Sequence, residues 1–100
     1  RVLDDKKTIK VKELVINPGA SLSDQKHKMR SEHWYVLKGD VTINLEFPNG
    51  DWQIQMLTEH TNFVIQNNWW HKVTNEGDKP AHILEVQYGE NCIEEDIIRR

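Results

Sequence analysis

Gln25 and His27 stand two residues apart, Glu32 follows shortly after them, and His71 lies far down the chain. Together they offer an amide oxygen, two imidazoles and a carboxylate. That mixed nitrogen and oxygen set suits a divalent ion such as zinc, manganese, iron, cobalt or nickel, with at least one coordination position left for water or substrate. Residues two apart on a strand share a face, so Gln25 and His27 can point the same way. A bend after them can carry Glu32 alongside, and a barrel can return the strand that begins at His71 beside the first pair. From spacing alone two readings stay open: a metal centre, or strand histidines that are exposed or satisfied by hydrogen bonds. The lone Cys92 can build neither an internal disulfide nor a thiolate cage.

The elements that must position these residues read as strands. Short runs with a period near two, rich in Val, Ile, Thr and aromatic residues, recur about every ten residues between Gly, Pro, Asn and Asp. The clearest is 41–47, where Val41, Ile43, Leu45 and Phe47 share one face. Pro48, Asn49, Gly50 and Asp51 then supply a tight reversal, after which Trp52, Ile54 and Met56 resume the alternation. Further strands are expected at 8–16, 25–29, 33–37, 62–65, 71–74 and 81–88, with turns at 17–19, 38–40 and 76–80. The tail 93–100 reads as a helical turn or an extended arm. The pattern predicts an all-β barrel or sandwich.

A chain of 100 residues, 37% of them hydrophobic, is the size of one domain, expected to span 1–100. Sixteen acidic residues against 13 basic ones give a formal net charge of −3 without a basic run, which argues against nucleic acid as a partner. No apolar stretch approaches the roughly 20 residues that cross a bilayer, so a cytoplasmic protein without a membrane partner is expected.

The run Gly19, five residues, Gln25, Lys26, His27, four residues, Glu32, six residues, Gly39 resembles the first cupin motif, with Gln in place of its first His. His71, three residues, Asn75 resembles the end of the second. Departures from that second motif are His60 and Asn68, where it usually has Gly, and Gln66, where it usually has Pro. A narrower resemblance covers nearly the whole chain. VKELVINPGASLSDQKH, RSEHWYVLKGD, ILEVQYG and EEDIIRR are similar to the type II mannose-6-phosphate isomerases, found alone or as the C-terminal domain of bifunctional mannose-1-phosphate guanylyltransferases. The chain differs from them at Lys26 and Lys28, where His is frequent, and at Ile93, where Gly is usual.

This resemblance implies a cupin, a double-stranded β-helix or jelly-roll barrel, with Gln25, His27, Glu32 and His71 as metal ligands and a sugar phosphate as substrate. It implies aldose–ketose isomerisation through a cis-enediol. Glu85 is the candidate base, Arg99 a candidate active-site cation, and Lys12 the favoured partner for the substrate phosphate among Lys12, Lys26, Lys28, Arg30, Lys72 and Arg99. Lys26 and Lys28 alternate with Gln25 and His27 and are expected to point to solvent. Glu85 and Arg99 also have plainer readings, as a paired strand carboxylate and a solvated charge. A metal- and carbohydrate-binding module without turnover, or another metal-dependent cupin enzyme, are the alternative functions. Pairing through edge strands into a homodimer is expected, with the tail able to cross to a partner.

Overall fold

The period-two pattern folds into two antiparallel five-stranded sheets packed face to face. The computed structural model describes residues 2–5, 9–89 and 96–100. Its strands are β1 (Val2–Asp5), β2 (Ile9–Ile16), β3 (Gln25–Lys26), β4 (Arg30–Lys38), β5 (Val41–Glu46), β6 (Trp52–Leu57), β7 (Asn62–Ile65), β8 (Trp70–Thr74), β9 (Ala81–Gly89) and β10 (Ile98–Arg99). One sheet runs β1-β2-β9-β4-β7 and the other β10-β3-β8-β5-β6. There is no helix among the described residues. Two sheets closed over one core in this order form the expected cupin barrel.

The inward-facing residues change character along the barrel, and the strand register aligns the change. On β2 they run Ile16, Leu14, Lys12, Lys10; on β4, Val36, Trp34, Glu32, Arg30; on β9, Ala81, Ile83, Glu85, Gln87. Pairing sets Ile16 beside Ala81, Leu14 beside Ile83 and Lys12 beside Glu85. It likewise sets Val36 beside Ile83, Trp34 beside Glu85 and Glu32 beside Gln87. One half of the interior is therefore hydrocarbon, where Val36, Ile43, Ala81 and Ile83 are fully buried. The other half is polar, although Glu32, Glu85, Gln87, Arg30 and His71 are also buried. Burying that many polar groups is costly unless they satisfy one another or a ligand.

Most expected strands lie where the alternation puts them, with ends moved by at most one residue, while β4 begins at Arg30, three residues before the expected strand 33–37. Three differences bear on the site. The expected strand 25–29 stops at Lys26, because residues 27–29 bend before β4 begins. The chain start adds β1 along β2. In the tail, residues 96–100 take the extended alternative and not the helical turn, and Ile98 and Arg99 pair with Lys26 and Gln25. Thr8, Cys92 and Ile93 lie outside the described residues.

His60 and Asn68 take φ of 68° and 67°. These are the two places where the second cupin motif usually has Gly, and both demand the left-handed conformation that Gly adopts without steric cost. The motif's backbone is thus retained by residues that fit it less easily.

Candidate functional site

The bend at 27–29 is held from outside by the tail. The Asp96 carboxylate accepts the backbone N–H groups of Lys28 (3.0 Å) and Met29 (2.7 Å), which face the same carboxylate because the chain turns there. The Asp96 carbonyl accepts from His27 Nδ1 at 2.8 Å. A carbonyl can only accept, so Nδ1 carries the proton and Nε2 is directed inward. His71 is arranged in the same way, with Nδ1 donating to the Trp69 carbonyl at 3.1 Å.

Both Nε2 atoms converge on Glu32. His27 Nε2 lies 3.0 Å from Glu32 Oε2, and His71 Nε2 lies 3.7 Å from Oε1. The three residues bring their ligand atoms within 4.8 Å of one another, all from buried side chains. His71 Nε2 is buried without a hydrogen-bond partner. Burial pushes the pKa of that imidazole down, an effect the Glu32 carboxylate offsets only in part. A neutral ring with Nδ1 protonated leaves a lone pair on Nε2, of the kind a divalent cation accepts. The donor set fits such an ion: two imidazoles with fixed tautomers and a carboxylate between them.

Glu32 is further fixed by Trp34, whose Nε1–H donates to Oε1 at 3.0 Å. Arg30 reaches the same place, its Nε 3.5 Å from Glu32 Oε2 and its Nη2 3.1 Å from His27 Nε2. In the metal-free protein burial raises the Glu32 carboxyl, but the close approach of His27, the neighbouring His71 and a hydrogen bond with Glu85 outweigh it and bring the pKa down to about 2. Glu85 moves the other way, to about 8: burial first, then the charge and hydrogen bond of Glu32, favour its protonated form. Two buried carboxyls that share a hydrogen bond thus divide into one anion and one proton carrier. Gln87 Nε2 donates to Glu85 Oε1 at 2.5 Å and fixes its orientation.

A cavity of about 240 Å³ opens beside this cluster, and Gln25, Glu32, Glu85, Lys12 and Arg99 all line it, together with Arg30 and Gln87. Lys12 is the cross-strand neighbour of Glu85, and Gln25 pairs with both His71 and Arg99. The seven residues singled out in the sequence are therefore brought to one end of the barrel. His27 and His71 are not part of that lining but approach Glu32, which is. Lys26 points outward, its Nζ 4.9 Å above the Trp70 ring, and Lys28 is exposed. Trp70 is clamped on the surface by Lys26 and Arg100, and Trp69 packs edge-on against Phe47 at 4.7 Å. Asn75 is structural, donating to the carbonyls of Ile16 and Lys79.

Sequence reasoning passed over Gln87, Asp96, the Trp34 indole and the inward position of Arg30. Three of them carry a readable signal. Arg30 and Trp34 flank Glu32 at two residues, and Gln87 follows Glu85 at two, so each shares a face with a residue already singled out.

A jelly-roll barrel with a buried His/Glu/His cluster beside an open polar cavity defines a cupin. Solved structures agree on the fold. An uncharacterised double-stranded β-helix protein from Klebsiella pneumoniae superposes with a TM-score of 0.83 at 15% identity, over 98% of this chain and 79% of that one. Oxalate decarboxylase from Bacillus subtilis gives 0.84 at 17% identity, over 93% and 24%.

The model of the mannose-6-phosphate isomerase C-terminal family matches residues 1–100, and the chain belongs to that family. Among curated relatives, the xanthan biosynthesis protein XanB of Xanthomonas campestris pv. campestris is 36% identical over 97% of this chain. Mannose-1-phosphate guanylyltransferase 2 of Escherichia coli O157:H7 is 34% identical over 98%. The chain spans 20% and 19% of the length of these two relatives. No helix among the described residues is long and apolar enough to cross a membrane.

Proposed function

We propose that the chain acts as one cupin unit over residues 1–100 and is a metal-dependent isomerase that interconverts mannose 6-phosphate and fructose 6-phosphate. One observation carries this reading. A buried carboxyl with a pKa of about 8, Glu85, faces the same cavity as two cations, Lys12 and Arg99, and the ligand-capable Gln25 and Glu32. Family membership adds the sugar-phosphate context.

Isomerisation moves one proton between C2 of the aldose and C1 of the ketose, through an enediol with charge developing on two adjacent oxygens. Gln25, His27, Glu32 and His71 would hold a divalent ion, whose charge, when bound, stabilises those oxygens. Glu85 is the proton carrier. In its ionised form it takes the proton from C2, and the resulting acid returns it to C1, leaving the residue as it began. A pKa near neutrality keeps both forms accessible, as a group that works in both directions requires. Gln87 holds Glu85 Oε1 and so fixes the orientation of the carboxyl beside the cavity. Lys12 and Arg99 bind the phosphate.

The test is metal content of the purified protein together with a coupled assay for fructose 6-phosphate formation, on wild type, His71→Ala and Glu85→Gln. Turnover that follows bound metal, is lost in His71→Ala and falls roughly 100-fold or more in Glu85→Gln with metal retained supports the isomerase. Stoichiometric metal without turnover on any sugar phosphate would instead make the domain a binding module. Protein without affinity for a divalent ion would end the proposal.

A further inference from the structure

His27 and His71 are tethered alike, each by Nδ1 to a main-chain carbonyl, yet their Nε2 atoms meet different neighbours. His71 Nε2 is buried without a hydrogen-bond partner. His27 Nε2 accepts from Arg30 Nη2 at 3.1 Å, and Nε of the same guanidinium lies 3.5 Å from Glu32 Oε2. The guanidinium thus meets an atom of two different residues that the metal-site reading assigns to an ion. An imidazole nitrogen has a single lone pair in the ring plane, so it can accept an N–H or bind a metal but not both. Arginine stays charged, so it cannot give way by losing a proton.

We propose that Arg30 is an exchangeable counter-cation of the metal site: its guanidinium and a divalent ion compete for His27 Nε2 and Glu32 Oε2, and the ion binds by displacing it. The inference rests on the metal-site reading given above and adds to it a residue whose effect on metal affinity is negative.

The strand builds this competitor in. Arg30 stands two residues before Glu32 on β4, so the alternation that buries the carboxylate buries the guanidinium with it, at 2% and 4% exposed. The main chain is pinned there. Arg30 pairs with Gly89 of β9, and a Cβ at Gly89 would stand 2.9 Å from Arg30 Cα, so the two strands approach more closely than any other residue at 89 would allow. Exchange is therefore left to the side-chain torsions of Arg30. The displaced group has space to enter, because Arg30 lines the cavity that Lys12, Glu85 and Arg99 share. In that cavity it is a third cation toward the phosphate of a sugar phosphate.

Arg30 also compensates a buried carboxylate, and taking one partner of such a pair away is destabilising. Its removal should therefore lower the stability of metal-free protein while raising the affinity for metal. A residue that merely held the ligands in place would act in the opposite sense, since its loss would weaken metal binding. The sign of the change in affinity separates the two roles.

Co²⁺ affinity by chelator competition, and thermal unfolding with EDTA or with saturating Co²⁺, test this on the 100-residue chain. Arg30→Met is expected to bind Co²⁺ roughly 10- to 100-fold more tightly than wild type, the range a charge-assisted hydrogen bond spans. Its Tm in EDTA should fall below that of wild type, and Co²⁺ should raise it by more. Arg30→Gln serves as a second neutral variant should Arg30→Met fail to fold, and Arg30→Lys, which keeps the charge but not the planar fork, should lie between. Affinity equal to or below that of wild type in the folded neutral variants overturns the proposal and leaves the metal site standing. Absence of Co²⁺ binding in wild type and variants alike overturns the metal site, and this inference with it.

Discussion

His27 Nδ1 donates to the main-chain carbonyl of Asp96 at 2.8 Å, across a sequence separation of 69 residues. The same Asp96 holds the two N–H groups that follow His27 with its carboxylate. One tail residue thus sets both the tautomer of a candidate ligand and the bend that carries it. Arg100 anchors the tail further along, donating to Asp24 at 2.9 Å and Glu46 at 2.8 Å while lying over the Trp70 ring.

Asp96→Ala removes both carboxylate contacts and leaves the bend free to rotate His27 away from Glu32. Second-sphere contacts of this kind are worth about 10- to 100-fold in metal affinity, so a loss in that range is expected by chelator competition with Co²⁺. Asp96→Asn keeps one oxygen able to accept an N–H, and its affinity should fall between the alanine variant and wild type. Equal affinity for all three proteins would show that the bend holds itself.

The opposed shifts of Glu32 and Glu85 give metal-free protein a particular dependence on pH. Glu85 holds its proton more tightly folded than unfolded, so its contribution is complete below about pH 4.5 and is lost as pH rises through about 8. Glu32 contributes above about pH 4.5 and loses its contribution as pH falls towards about 2. With chelator present, Glu85 should therefore contribute a decline in stability from pH 5 to pH 8 of about 5 kcal/mol at most, offset in part by the rise that the lowered pKa of His71 gives over the same range. Glu85→Gln should flatten that decline, as read by urea unfolding across the range. An unchanged slope in the variant would place the titrating group elsewhere.

The alternation of apolar residues made the strands legible, because a half-buried strand must alternate. β10 and the true end of β3 were not legible for a related reason. A two-residue strand has no period, and β3 is cut short by the hydrogen bonds Asp96 makes to Lys28 and Met29. The ligand-capable residues could be picked out by type and by motif spacing. Arg30 and Gln87 could not be weighed that way, since their importance comes from register: only when β4 pairs with β9 does Glu32 stand beside Gln87, and Trp34 beside Glu85. Asp96 acts partly through its backbone carbonyl, which any residue type provides.

His60 is a non-glycine residue at φ 68° in a turn where its side chain is largely exposed. Its contacts are a long hydrogen bond with the Tyr35 hydroxyl at 3.3 Å and a 3.8 Å approach to Glu59. Both are weak at the surface. His60→Gly should relieve more backbone cost than it loses in contacts and stabilise the protein by about 1 kcal/mol. For a chain of this size that is a rise in Tm of roughly 4–8 °C. A fall in Tm would mean that the Tyr35 contact outweighs the backbone term.

Trp34 combines a packing role with an electrostatic one. Its indole is 2% exposed, donates to Glu32 Oε1 at 3.0 Å and meets His71 edge-on at 6.1 Å. Trp34→Phe keeps most of the hydrocarbon and deletes the N–H, leaving a buried carboxylate short of a donor at a cost of about 2 kcal/mol. Loss of packing would lower stability as well, and pairing the variant with Glu32→Gln separates the two effects. If the hydrogen bond carries the effect, Trp34→Phe costs about 1–2 kcal/mol less in the Glu32→Gln background than in wild type. If packing carries it, the cost is the same in both.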